Sequence, residues 1–255
     1  TTFDSTGYHQ TIAAEQLELV MRMEADRMTN VRLTEREIVP ERQVILEERR
    51  MRTDNVPASL LDEAVRERLY GLHKPYAMPV IGYADDIRGL GVEDLAGFYR
   101  RHYAPNNAIL IVAGDTTTDH VRELAERYYG PIARREIGPR LRPAQGGPDL
   151  PQKVVRADAR VAEPRWSRLW LAPSYKVGET KYAYALQVLA RLFGGSETSR
   201  LSRVLVEERK IGLSAWASYG ASSLGLTSFD IGVHPAKSRS IEEVEEAVTA
   251  EMKKL

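Results

Sequence analysis

The sequence contains no cysteine among its 255 residues. Disulfide bonds, thiolate zinc sites and cysteine nucleophiles are therefore excluded within it. Lys plus Arg and Asp plus Glu each number 36, so the formal net charge is zero. This balance predicts no binding to nucleic acid or to an anionic membrane. No apolar run approaches the roughly 18 residues that a membrane-spanning helix needs.

Motifs of several enzyme classes are also missing. There is no Walker loop, and no G-x-G-x-x-G lies between a predicted strand and helix, which argues against nucleotide binding. There is no G-x-S-x-G for an acyl-transfer serine. The histidines include no pair spaced to hold one metal ion from a single helix, so each is predicted to be a surface or core residue. They are His9, His73, His102, His120 and His234.

The functional prediction depends on residues 34–53, TEREIVPERQVILEERRMRT. A Thr-x-x-Glu pair at the start predicts a capping box, and Pro40 predicts the first turn of the helix that follows. Helical periodicity predicts a buried side made of Glu41, Val44, Ile45, Glu48 and Met51. A buried carboxylate must be paired or must bind a metal ion, so Glu41 and Glu48 need partners. Arg52 lies four residues after Glu48 and could supply an ion pair as the alternative to a metal ion.

Hydrophobic periodicity along the chain predicts both helices and strands, which is typical of an α+β protein. Helices are predicted over residues 14–30, 41–51, 58–70, 92–102, 117–129, 180–193 and 198–208, with a last helix at the end of the sequence. Strands are predicted over residues 6–12, 108–113, 153–161, 166–172, 213–220 and 226–233. The apolar run at 108–113 is predicted to be a central strand that is buried on both faces.

Composition predicts two domains. Residues 130–152 hold five prolines and four glycines with little apolar periodicity, and they predict a linker over 133–152. The first domain is then 1–132 and the second 153–255. The sequence opens on a predicted strand without a starting Met and closes in a predicted helix without a C-cap. Both domains are therefore expected to be incomplete in this chain.

Four sequence blocks carry a family resemblance. They are EADRM (24–28), ERQVILEERR (41–50), HKPYAMPVIGY (73–83) and FYRRHYAPNNAILIVAGD (98–115). In this order and spacing they resemble the pitrilysin/insulinase family of inverted zincin metallopeptidases, specifically its bacterial processing-peptidase-like branch. The second half resembles the following domain of that family more loosely, through LFGGSETSRLSRVLVEERKIGL (192–213).

The resemblance implies a fold, a cofactor and a metal ligand. Each domain is expected to be a mostly antiparallel sheet with helices packed on one side. In the family an H-x-x-E-H helix supplies two histidine ligands and the general-base Glu, and a Glu on a later helix completes the zinc site. Motif position then implies that Glu48 is the zinc ligand and that Glu41 is a supporting acid. H-x-x-E-H is absent here and is expected upstream of Thr1, so the chain alone is expected to be inactive.

The resemblance also implies an Arg and Tyr pair in the second domain that holds the substrate backbone. Arg200 in S-R-L matches the Arg, whereas Ala215 stands where the Tyr is expected and Trp216 follows it. Arg200 is therefore a candidate substrate-binding residue. The alternatives are that Arg200 is an exposed residue of a helix's first turn and that Gly194 and Gly195 simply end a helix.

The resulting prediction is a zinc-dependent metalloendopeptidase that cleaves peptides or unfolded protein segments. Its substrate is expected to bind as an added strand on a sheet edge. The rival hypothesis is a noncatalytic partner or a structural subunit of the same family. The resemblance implies a homodimer, or a heterodimer with a related subunit, and is compatible with either the bacterial periplasm or the cytoplasm.

Overall fold

The fold was taken from a computed structural model that describes residues 1–72, 74–139, 147 and 151–255. The chain divides into two compact units. Unit 1 consists of Thr1–Ser5, Arg50–Val80 and Arg142–Leu255, and unit 2 consists of Thr6–Arg49 and Ile81–Leu141. His73, one of the five histidines, lies outside the described residues.

Unit 2 is helical in its described residues. Its helices are α1 (Leu17–Asn30), α2 (Glu35–Arg49), α4 (Ala84–Gly89), α5 (Val92–His102) and α6 (Thr118–Tyr128). Polar contacts join helices that are far apart in sequence: Glu18 on α1 accepts hydrogen bonds from Arg127 Nη1 (2.9 Å) and from the Tyr128 hydroxyl (2.6 Å). Thr117 caps α6, because its hydroxyl accepts a hydrogen bond from the His120 amide.

Unit 1 contains an antiparallel sheet of three strands. The strands are β1 (Trp166–Ala172), β2 (Gly212–Tyr219) and β3 (Thr227–Pro235), in the order β1-β3-β2. The helices of this unit are α3 (Pro57–Tyr70), α7 (Ala183–Gly194) and α8 (Ile241–Met252), with π-helices at Arg50–Asp54 and Ser202–Glu208. A capping box starts α8: the Ser240 hydroxyl accepts a hydrogen bond from the Glu243 amide, and the Glu243 carboxylate accepts one from the Ser240 amide.

The two faces of the sheet are covered by different elements. Alternate residues of β3, Phe229, Ile231 and Val233, belong to the apolar core that also contains residues of α7 and α8. The fully buried side chains of this core are Phe193, Leu201, Leu205, Ile231, Val233, Val244 and Val248. On the opposite face, Leu169 and Leu171 of β1 pack against Leu69, Tyr70, Tyr76 and Ala77, at and beyond the end of α3.

Three predicted strands are wrong, because the structure assigns no strand to residues 6–12, 108–113 or 153–161. Segment 108–113 shows why: Ala108 has extended φ and ψ angles of −124° and 153°, yet Ile111 is 82% exposed. A strand is stabilised by hydrogen bonds to a neighbouring strand and by cross-strand side-chain contacts. All strands within the described residues belong to unit 1, whereas 108–113 belongs to unit 2, whose described residues contain no strand.

The α+β class is confirmed by this mixture of helices and antiparallel sheet. Within the described ranges no helix is both long and apolar enough to cross a membrane. The proposed domain boundaries at residues 132 and 153 stay a prediction.

Candidate functional site

Helix α2 carries the two predicted acidic site residues, and it starts earlier than the sequence indicates. It begins at Glu35, so Pro40 lies inside the helix rather than in its first turn. The amides of Glu37 and Ile38 bond to the Thr34 carbonyl, and the Thr34 hydroxyl donates to the Glu37 carboxylate. The helix tolerates Pro40 at the expense of one backbone hydrogen bond, because proline has no amide hydrogen.

The predicted buried side of α2 is also wrong. Ile38 and Arg49 are the buried residues of this helix. Two arginines seven residues apart reach backbone carbonyls that lie just before and just after α4: Arg49 Nη1 donates to the Gly82 carbonyl and Arg42 Nη1 to the Leu90 carbonyl, both at 2.7 Å. An arginine can bury its aliphatic stem while its guanidinium satisfies backbone carbonyls, so apolar residues alone do not define the packed side.

A side of α2 next to the packed one holds the two acids. Glu41 is exposed, and Val44 and Met51 are 58% and 59% exposed, whereas Glu48 is partly buried. Glu41 and Glu48 are two turns apart and share this side. The two acids therefore differ in their exposure to solvent. The metal role of Glu48 stays a prediction.

The described residues do not form a complete zinc site. No group of three or more His, Cys, Asp or Glu side chains that could hold a metal ion occurs in them. The four described histidines, His9, His102, His120 and His234, are all exposed. A catalytic zinc ion has three protein ligands, so Glu48 could provide only one of them.

Arg200 forms an ion pair inside unit 1. Its Nε donates to Glu251 Oε2 at 3.0 Å, and Lys254 Nζ approaches Oε1 of the same carboxylate at 2.5 Å. The Glu251 side chain is only 4% exposed. The hydrogen bond from Lys254 and then the Arg200 guanidinium hold the pKa of Glu251 below its usual value, against the opposing effect of burial. This pairing gives Arg200 a structural role, and its substrate-binding role stays a prediction.

The residues around Ala215 point to opposite faces of the sheet. Ala215 is buried in the core that contains α7 and α8, whereas Trp216 lies on the other face. The Trp216 ring lies 5.4 Å from the Arg165 guanidinium and 5.3 Å from the His234 ring. At the end of α7, a Cβ on Gly194 would lie 2.1 Å from the Ala217 amide nitrogen. Gly194 therefore permits close packing on β2 as well as ending a helix.

A cluster of tyrosines in unit 2 has perturbed ionisation. The Tyr8 and Tyr103 hydroxyls are 2.6 Å apart, and the Arg27 guanidinium lies 3.9 Å from the Tyr8 ring. Burial and the contact with Tyr8 raise the pKa of Tyr103 to about 12. A phenol with this pKa stays protonated near neutral pH, so Tyr103 is not suited to act as a general base.

Sequence reasoning missed the residues with the most distinctive polar environments. Arg42 and Arg49 fix α2 to its neighbour, and Glu251 is buried between two cations. Asp230 is also partly buried in the middle of β3. The sequence alone could have singled out Asp230, since an acid inside an otherwise apolar strand needs a compensating environment. The roles of the two arginines and of Glu251 depend on tertiary contacts, so the sequence alone does not predict them.

Comparison with known proteins identifies the family. Residues 89–255 match the family model described as "Peptidase M16 inactive domain". The chain is 32% identical over 219 residues to "Zinc protease PqqE" of Helicobacter pylori (strain ATCC 700392 / 26695), which covers 85% of this chain and 48% of that protein. It is 28% identical over 248 residues to an "uncharacterized zinc protease" of Mycobacterium leprae (strain TN), which covers 92% of this chain and 52% of that protein.

Solved structures support the same assignment. A protease from Helicobacter pylori superposes with a TM-score of 0.84 and 27% identity, covering 95% of this chain and 58% of that chain. A peptidase M16 inactive domain from Pseudomonas fluorescens has a TM-score of 0.75 at 17% identity, covers 94% of this chain and 57% of that chain, and supports the fold alone. The chain spans about half the length of the curated relatives above. It belongs to the M16 peptidase family, which confirms the resemblance to pitrilysin/insulinase-type metallopeptidases.

Proposed function

We propose that the protein containing these residues is a zinc metalloendopeptidase that cleaves peptides or unfolded protein segments. The observation that supports this most is the 32% identity to a zinc protease over 85% of the chain. We further propose that Glu48 is one zinc ligand and that Glu41 supports the site without binding the metal ion. The remaining ligands and the general-base Glu are assigned to residues outside the described ranges.

The position of Glu48 supports its proposed role. It is partly buried, so its carboxylate can be held in one orientation, whereas Glu41 on the same side is exposed and has more freedom. The exposed apolar residue Val44 lies on this side of α2 as well. A mixed apolar and acidic side of a helix is suited to packing against another element that contributes ligands, because the apolar residues gain burial when it packs.

The substrate is proposed to be an extended peptide that pairs its main chain with a sheet edge. This mode favours unstructured segments over a fixed sequence, because main-chain hydrogen bonds provide most of the recognition. Arg200 is the candidate for an additional contact with the substrate backbone, provided that its ion pair with Glu251 leaves it able to donate to a ligand. The protein is proposed to act as a homodimer, or as a heterodimer with a related subunit.

The proposal is tested on the product of the gene's complete reading frame. The wild type is expected to bind about one zinc ion per chain and to hydrolyse a quenched fluorescent peptide, with activity lost to a chelator and restored by zinc. Glu48→Gln is expected to lose both zinc and hydrolysis. Glu47→Gln, the adjacent and exposed acid on α2, is the matched control and is expected to retain both. Retention of zinc by Glu48→Gln would defeat the ligand assignment.

The second candidate function is a noncatalytic subunit of the same family. One observation favours it: the matching family model is described as an inactive domain. A structural neighbour also occurs in "Complex III2 from Candida albicans", with a TM-score of 0.64 at 16% identity, which supports the fold alone. This candidate predicts that the complete protein binds no zinc and hydrolyses no peptide by itself.

A further inference from the structure

Asp230 occupies the centre of the sheet on the face that packs against α3. In β3 it is paired with Leu169 of β1 and Ser218 of β2. Leu169 packs against the end of α3, and residues directly opposite each other in a sheet share a face. Asp230 therefore points away from the core of α7 and α8 and toward α3.

Charged and polar side chains from several elements surround this carboxylate. The charges of Arg66 and Asp62 on α3 and of Arg165 before β1 affect its pKa, as does the side chain of Ser228. Burial raises the pKa of Tyr70 of α3, and Ser228 and the charge of Asp230 also affect this pKa. The titratable and charged groups that face Asp230 in the described chain are therefore Asp62, Arg66, Tyr70 and Arg165.

The cluster is closely packed but incompletely hydrogen bonded. Arg66 donates to the Tyr76 carbonyl at 2.8 Å and lies 4.5 Å from the Phe3 ring, while Arg165 pairs with Asp62 at 3.1 Å. Three buried atoms have no hydrogen-bond partner among the described residues: Arg66 Nε, Arg165 Nε and Asp230 Oδ1. Buried polar atoms that lack partners are costly, so this contact is less stable than its apolar packing alone would make it.

We propose that Asp230 makes the contact between α3 and the sheet a proton-linked latch, which is tight when the carboxyl is protonated and weaker when it is ionised. The neutral carboxyl removes an incompletely compensated buried charge and gains an O–H donor. The ionised carboxylate is attracted by Arg66 and Arg165 but loses its hydration. This inference does not depend on the proposed peptidase function.

The sign of the pH dependence follows from burial. Desolvation is the largest effect on Asp230 and raises its pKa above the ordinary value, outweighing the opposing effects of Ser228, Arg66 and Arg165. A carboxyl whose folded-state pKa is raised adds stability below its unfolded-state pKa, and this stability is lost as the pH rises through the folded-state value. The latch is therefore weaker at neutral than at acidic pH.

The test compares the wild type with Asp230→Asn at about pH 7.5 and about pH 4. The amide keeps the shape and stays neutral, so the variant is expected to raise the unfolding midpoint at pH 7.5 by about 2 °C or more and to lose this advantage at pH 4. Asp119→Asn on α6, where the carboxylate is 91% exposed, is the control, and it is expected to leave the unfolding midpoint unchanged at both pH values.

Hydrogen exchange separates a latch from a general change in stability. At pH 7.5 the Asp230→Asn variant is expected to slow amide exchange in α3 more than in α8, because α3 packs on the Asp230 face and α8 packs on the other face of the sheet. Equal slowing in both helices would overturn the proposal. An equal increase in the unfolding midpoint of Asp230→Asn at both pH values would overturn the proposal as well, since the effect would then not involve a proton.

Discussion

The two compact units cover their apolar residues in different ways. In unit 1, β1, β2 and β3 pair and place Ile231 and Val233 in a core from which solvent is excluded. In unit 2, residues 108–113 have an equally apolar sequence, but they form no strand and Ile111 is 82% exposed. The difference shows that an apolar β-branched segment becomes a buried strand only where a partner strand and a covering layer exist.

The largest expected effect tests the core of unit 1. Phe193 is fully buried between α7 and the sheet, so Phe193→Ala removes packing that the surrounding residues can only partly replace. The expected cost is about 3–5 kcal/mol in the free energy of unfolding. Urea unfolding followed by tryptophan fluorescence measures this cost, and the signal reports on unit 1 because Trp166, Trp170 and Trp216 all belong to that unit.

The matched substitution in unit 2 is Ile111→Ala. Because this isoleucine is exposed and unpaired, the expected change is within about 0.5 kcal/mol when helical circular dichroism is followed during urea unfolding. A cost comparable to that of Phe193→Ala would contradict the comparison, because it would mean that segment 108–113 is buried in solution.

An intermediate effect is expected at the buried carboxylate of unit 1. Arg200→Ala removes one of the two cations on Glu251 and is expected to lower the free energy of unfolding by about 1.5–3 kcal/mol near neutral pH. Arg203→Ala is the control, because its partner Glu208 is largely exposed and such surface pairs contribute about 0–1 kcal/mol. Urea unfolding by tryptophan fluorescence measures both variants.

The pH dependence of this effect is a second check. The pKa of Glu251 is lowered in the folded state, so its pairing stabilises the fold above the unfolded-state pKa, and this stability is lost as the pH falls through the folded-state value. The difference between Arg200→Ala and the wild type should therefore shrink at about pH 3. If Arg200 acts on substrate alone, the variant will instead raise KM and leave unfolding unchanged.

A small stabilisation is expected at the turn between the second π-helix and β2. Lys210 has a φ of 52°, in the left-handed region where a Cβ is unfavourable. Lys210→Gly is expected to raise the free energy of unfolding by about 0.5–1 kcal/mol. Arg209→Gly is the matched control and should destabilise, because Arg209 has right-handed helical angles. Destabilisation by Lys210→Gly would mean that the lysine side chain makes a compensating contact.

Local sequence patterns predicted several helices and all three strands of the observed sheet well. The helix predicted at 92–102 and the strand predicted at 166–172 have the observed bounds, and the strands predicted at 213–220 and 226–233 differ by one or two residues. In these segments the periodicity, the turn residues and the tertiary partners agree, so each segment's own sequence is sufficient.

Prediction was poorer where tertiary contacts decide the outcome. The predicted packed side of α2 was wrong because Arg42 and Arg49 reach backbone carbonyls that are 48 and 33 residues away in sequence, which no helical periodicity reveals. The positions of Glu41 and Glu48 were identified through family resemblance and helix spacing, but the difference in their burial was not. Asp230 could have been found from its sequence, whereas its surroundings required the fold.

The central claim, that Glu48 binds zinc in the complete protein, is tested most directly by anomalous diffraction at the zinc edge from crystals of the full reading frame's product. The account predicts a zinc peak about 2.0–2.2 Å from a Glu48 carboxylate oxygen. A zinc peak elsewhere with Glu48 uncoordinated, or no zinc in protein purified in its presence, would contradict it.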